Sequence, residues 1–175
     1  MTHAAEAVRY AKAVVAGDIP AGRLVRLACE RHFKDIKRKD LSFDAKAGGR
    51  VCSFIELLHH TKGKWAARQE TIKLEPWQKF LICSAFGWRR KDGRRRFREV
   101  YAEIPRKNAK STLAAGVGLY MLLADDEFGA EVYSGATTEK QAWEVFRPAL
   151  LMCKRNADLL SYYGLRAGAK SLYRG

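Results

Sequence analysis

Acidic residues are scarce in this 175-residue chain, 19 against 33 lysines and arginines, which leaves a net charge of +14. A surplus of that size creates a positive field that draws polyanions, so nucleic acid is the first partner to consider, although basic surfaces also serve solubility. Cysteines are few. Cys29, Cys52, Cys83 and Cys153 stand far apart with no C-x-x-C pair. A zinc site needs ligands at short spacing, so none is indicated, and four reduced, mostly buried thiols are expected. His59 and His60 are adjacent and would point apart on a helix, a poor metal pair. No apolar run reaches the roughly 20 residues of a membrane span. The longest candidate, Leu113 to Ala124, is broken by two glycines and a tyrosine. Met1-Thr2-His3-Ala4-Ala5-Glu6 lacks the basic-then-apolar layout of a signal peptide. A cytoplasmic chain with no membrane partner is expected. What is present is 47% apolar residues, enough for a core. There is no internal repeat and no low-complexity tract.

Hydrophobic spacing divides the chain. Ala7, Tyr10, Ala11, Val14 and Val15 recur at helical spacing between Ala4 and Gly17, and Leu24, Leu27, Ala28 and Phe33 do so from Ala21 to about Ile36. Lys37-Arg38-Lys39-Asp40 is a basic patch between elements. Asp44 to Arg50, with Gly48-Gly49, reads as a loop, and Val51 to His60 as a helix. Residues 1–70 form the expected helical subdomain. Thr71 to Leu74 is short and extended. Glu75-Pro76 opens a helix that Gly87-Trp88 closes. The basic turn Arg89 to Arg96 has Asp92-Gly93 at its centre. Phe97 to Ile104 and Ala130 to Ser134 read as strands, and Ser111 to Ala124 as an apolar helix. Another helix starts at a capping box from Thr138 to Gln141 and runs to Leu151. Alternating strands and helices predict an α/β region with a parallel sheet and flanking helices over 71–160. Residues 161–175 have weak pattern and are expected to be a poorly ordered tail.

The sharpest motif is Arg106-Lys107-Asn108-Ala109-Lys110-Ser111-Thr112, between a predicted strand and a predicted helix. That is the setting of a phosphate-binding loop. The first N–H groups of a helix lack intrahelical acceptors, and the helix dipole favours an anion there. Lys110 would reach the phosphates and the Ser111 hydroxyl would take Mg²⁺. The match to G-x-x-x-x-G-K-[ST] is incomplete, because Ile104 and Ala109 stand at the glycine positions. On the loop alone, a polar turn with a helix-capping serine is the plainer reading.

The loop resembles the divergent phosphate loop of tailed-phage terminase large subunits, the ATP-driven motors of viral DNA packaging. Three further segments agree in order: Arg9-Tyr10 through Arg31-His32-Phe33-Lys34-Asp35; Leu74-Glu75-Pro76-Trp77-Gln78 with Phe86-Gly87-Trp88; and Val132 through Ala142. The resemblance covers nearly the whole chain. It implies a P-loop NTPase-like core, here an incomplete one, with ATP and Mg²⁺ as cofactors. It implies that Trp77 and Gln78 help hold adenine, that Arg106 and Lys110 act on the phosphates, and that Arg106 senses or stabilises the γ-phosphate. For Trp77 a core position on the helix is the plainer reading. Implied partners are double-stranded DNA, the small terminase subunit and the portal protein, with a ring homo-oligomer on the capsid in the host cytoplasm.

A complete motor also needs an acidic residue on a later strand to hold Mg²⁺ and a glutamate to orient water. The one acidic run, Asp125-Asp126-Glu127, follows the phosphate-loop helix too closely and reads as a solvated cap. The acidic strand and the nuclease domain are expected beyond this stretch, so weak or absent turnover is expected of it. Two other readings stand beside this one. The first is a fragment of a helicase-like translocase. The second is a basic nucleic-acid-binding module without nucleotide chemistry, resting on Lys37-Arg38-Lys39 and Arg94-Arg95-Arg96.

Overall fold

The computed structural model describes residues 1–174. In chain order the elements are α1 (His3–Ala16), α2 (Arg23–Ile36), β1 (Leu41–Phe43), α3 (Ala45–Glu56), α4 (Gly63–Ala67), α5 (Pro76–Gly87), β2 (Trp88–Arg90), α6 (Lys110–Leu123), α7 (Glu139–Lys154), α8 (Ala157–Tyr163), β3 (Leu165–Ala167) and β4 (Leu172–Arg174). They fall into two units. One comprises residues 1–53 and 74–102, the other residues 54–73 and 103–175. No helix among the described residues is long and apolar enough to cross a membrane.

The first unit is built on α1 and α5. Thr2 caps α1 by accepting from the Ala5 N–H, and Gly17 closes it in the left-handed conformation, which glycine adopts without a Cβ penalty. The buried stripe Ala4, Ala7, Ala11 and Val14 is mostly small, so α5 can pack closely against it. Lys79 on α5 is nearly buried and reaches Glu6 at 2.7 Å. That ammonium holds the Glu6 carboxyl below its usual pKa.

Helix α2 turns a different face inward from the one its leucines suggest. Leu24 and Leu27 are exposed, while Cys29, His32 and Asp35 are buried. The reason lies on β2, which pairs antiparallel with β1 and carries the buried Trp88. The Trp88 indole N–H donates to His32 Nδ1 at 3.2 Å, and the Arg96 guanidinium forms an ion pair with Asp35. A buried indole and a half-buried guanidinium need partners, and α2 supplies them from its polar residues.

The stretch expected as a loop at 44–50 is the first part of α3. Asp44 Oδ1 accepts from the Ala47 N–H at 2.9 Å and starts the helix. Gly48 serves packing here and breaks no helix: a Cβ on it would stand 2.8 Å from Cys83 Cα of α5. The same close approach brings Cys52 Sγ and Cys83 Sγ to 3.7 Å. All four cysteines are buried thiols outside any disulfide. The helix expected to reach His60 stops at Glu56, and His59 then bridges Thr71.

In the second unit α6 buries Leu113, Ala115, Gly116, Leu119, Tyr120 and Leu123. Gly116 lets Ile55 approach, with a Cβ there only 3.1 Å from its side chain, and Tyr120 meets Phe54 edge-on at 5.6 Å. Helix α7 packs along α6 and contributes Ala149, Met152 and Cys153 to the core. Burial pushes the Cys153 thiol up to about 11. The weakly patterned stretch after Leu160 forms the end of α8 and the β3–β4 hairpin.

The described residues form a mixed, mostly helical α/β structure whose only regular sheets are two antiparallel pairs of three-residue strands. The expected parallel sheet is not among them. Residues 97–104 and 130–134, read as its strands, take no regular strand structure. An alternating pattern makes a strand only when a ladder partner stands beside it. Residues 98–103 are exposed, and the division between the two units falls at Ala102 within the first segment. In the second segment Val132 lies alongside Gly118 of α6, so a side-chain contact with a helix stands where a ladder was expected.

Candidate nucleotide site

The loop from Ile104 to Lys110 is held by its own side chains. Asn108 Nδ2 donates to the carbonyls of Pro105 at 3.4 Å and Arg106 at 3.3 Å. Lys110 Nζ folds back across the loop and donates to the Ile104 carbonyl at 3.3 Å. Lys107 has φ 69° and Ala109 φ 55°, both in the left-handed region. Left-handed backbone costs an L-residue about 1 kcal/mol or more. Two such residues in three make this loop a strained one. Ala109 stands where the standard phosphate loop has glycine, and its backbone takes the conformation that glycine usually provides.

Ala109 is also the residue before α6, and no side chain caps that helix. The first bond of the helix runs from the Leu113 N–H to the Ala109 carbonyl at 2.9 Å. The N–H groups of Lys110, Ser111 and Thr112 therefore have no intrahelical acceptor. The expected capping serine is absent: Ser111 and Thr112 are half-buried members of the first turn. An uncapped helix start, a lysine across the loop and a hydroxyl in the first turn form a donor-rich turn suited to phosphate. Arg106 and Lys107 are exposed.

Trp77 and Gln78 belong to the other unit, on the first turn of α5. Gln78 is 5% exposed. Its backbone N–H donates to the Glu75 side chain, and its own Oε1 accepts from the Glu75 N–H at 2.9 Å. This reciprocal pair is a capping box. Glu75-Pro76-Trp77-Gln78 is thus the start signal of a helix, and the Gln78 carbonyl oxygen is engaged locally. Trp77 is half-buried.

At the start of α7, Thr138 accepts from the Gln141 N–H at 3.3 Å, and the Thr137 hydroxyl donates to Gln141 Oε1 at 2.6 Å. Ser134 donates to the Ala142 carbonyl at 3.0 Å and ties the preceding segment to the helix. Asp125-Asp126-Glu127 follows the far end of α6, with Asp126 in the left-handed region at φ 58°. Fourteen helical residues place that run roughly 20 Å from Lys110 along the axis.

The family model of the terminase large subunit ATPase domain matches residues 76–164, just over half of the chain. The chain belongs to that family. The match starts at the first residue of α5 and ends at the glycine that caps α8, so it includes the loop, the uncapped start of α6 and the whole of α7. Neither curated proteins nor solved structures give a match. Sequence spacing could not show that His32 and Trp88, or Asp35 and Arg96, meet, because each pair is more than 50 residues apart in the chain. The terminase resemblance quotes three of these four residues, and their contacts give them a structural role in joining α2 to β2.

Proposed function

We propose that this terminase ATPase chain binds the triphosphate of ATP at the loop Arg106-Lys107-Asn108-Ala109-Lys110-Ser111-Thr112. The observation that carries the reading is the uncapped start of α6 behind a strained loop with Lys110 lying across it. The N–H groups of Lys110, Ser111 and Thr112 would receive phosphate oxygens. Lys110 would exchange the Ile104 carbonyl for phosphate, and Ser111 would offer its hydroxyl to Mg²⁺. Arg106, always charged and able to bind two oxygens at once, would act on the γ-phosphate. When bound, MgATP supplies the phosphoryl group and the metal charge that the chemistry needs. Double-stranded DNA, the small terminase subunit and the portal protein are the partners the family membership supports for the packaging motor, assembled in the host cytoplasm.

Titration with a fluorescent ATP analogue and Mg²⁺ tests the site. Lys110→Ala is expected to weaken binding by at least about tenfold, the loss of a charged phosphate contact. Equal affinity for both proteins would refute the reading.

A further inference from the structure

Helices α3 and α5 meet along a short seam. At Gly48 their backbones touch, since a Cβ there would stand 2.8 Å from Cys83 Cα. Cys52 follows Gly48 by about one helical turn, on the same face of α3. Its sulfur comes to 3.7 Å from the Cys83 sulfur. Both side chains are closed off from solvent, Cys52 at 0% and Cys83 at 1% exposure.

Cysteine packs well in a core, and packing alone would account for two buried thiols. Their chemistry sets this pair apart from the other two. Burial pushes the thiols of Cys29 and Cys153 up to about 11, and neither has a sulfur partner among the described residues. Cys83 goes the other way. Accepting a hydrogen bond from Cys52 holds its thiol below the usual pKa, against the effect of burial, and the charge of Lys79 one turn earlier on α5 adds to the lowering. The thiolate is the form that reacts with oxidants, and a neighbouring thiol converts the first oxidised product into a disulfide. The sulfurs have to close from 3.7 Å to about 2 Å, which side-chain rotation supplies while the Gly48 contact keeps the helices together.

We propose that Cys52 and Cys83 form a redox-sensitive clamp, a dithiol that a peroxide closes to a disulfide and a thiol reductant reopens. The Cys83 thiolate attacks one oxygen of hydrogen peroxide, the O–O bond breaks and hydroxide leaves, giving a sulfenic acid at Cys83. The Cys52 sulfur then attacks the Cys83 sulfur, the S–O bond breaks, and the oxygen leaves as a second hydroxide. The two hydroxides take up the protons that the two thiols release and become water. Two electrons pass from the sulfurs to the peroxide. Both sulfurs are buried, so the reaction waits on local opening of the seam. The bond fastens α3 to α5, whose first turn carries Trp77 and Gln78. Both cysteines lie in the first unit and the phosphate loop in the second, so the clamp is independent of the nucleotide reading.

The test treats the whole folded chain with hydrogen peroxide, blocks the remaining thiols with iodoacetamide in urea, and maps tryptic peptides without reduction. Peptides 51–62 and 80–89 should be joined, with Cys29 and Cys153 recovered alkylated, and dithiothreitol should separate the joined pair. The oxidised chain should melt about 5 °C or more above the reduced one, because a bond between residues 31 apart in the chain restricts the unfolded state. Four alkylated thiols after treatment, oxygen added to Cys83 without a bridge, or bridges to Cys29 or Cys153 would overturn the proposal. So would a bridged chain that melts no higher than the reduced one.

Discussion

Ala109 sits at φ 55° immediately before a helix that no side chain caps. Glycine would take that conformation freely, whereas alanine carries its Cβ into it. Relief of that strain, about 1 kcal/mol or more, competes with the extra entropy glycine gives the unfolded chain, about 0.4–1 kcal/mol. Ala109→Gly is therefore expected to leave stability unchanged or raise it by up to about 1 kcal/mol. Urea unfolding of both proteins checks this, and a loss above about 1 kcal/mol would show that the alanine is unstrained. The sequence marked this position as one where glycine was missing. It could not show that the backbone keeps the glycine conformation regardless.

Elements tell a second story, in which long-range partners override local pattern. Helix α2 buries His32 and Asp35 because Trp88 and Arg96 need them, and α3 runs through Gly48 because α5 approaches there. Local spacing rightly indicated α1, α5, α6 and α7, whose apolar stripes and start signals lie within a few residues of one another. It misread 44–50 because a glycine that serves a neighbour looks the same as one that breaks a helix. The His32 contact has a pH consequence. Burial holds the imidazole below its usual pKa, partly opposed by the Asp35 charge. The fold keeps it neutral, with Nδ1 free to accept from Trp88, so as pH falls below about 6.5 the unfolded chain takes up the proton first. Stability is therefore present above that pH and lost below it. The melting temperature should fall from pH 7 to pH 5, and by less in His32→Gln, whose amide oxygen can still accept from the indole. Burial also lowers the pKa of His60, an effect present in both proteins. Parallel pH profiles would show that His32 is not the titrating group.

For the molecule as a whole, family membership was legible from four ordered segments, and the architecture only in part. Residues 104–112, read as a phosphate loop, form a turn and the start of α6, but the parallel sheet expected beside them is not formed among the described residues. Alternation at 97–104 and 130–134 records a strand-like surface and cannot supply the neighbouring strand that a ladder requires. The helix that presents the loop needs no such neighbour to offer its first N–H groups, and the central claim rests there. Amide ¹H–¹⁵N spectra recorded during titration with MgATP test it most directly. The account predicts the largest shifts at the amides of Lys110, Ser111 and Thr112, with little change at Lys37, Lys39 and Lys91. Shifts centred on those three lysines, with the first turn of α6 unmoved, would contradict it.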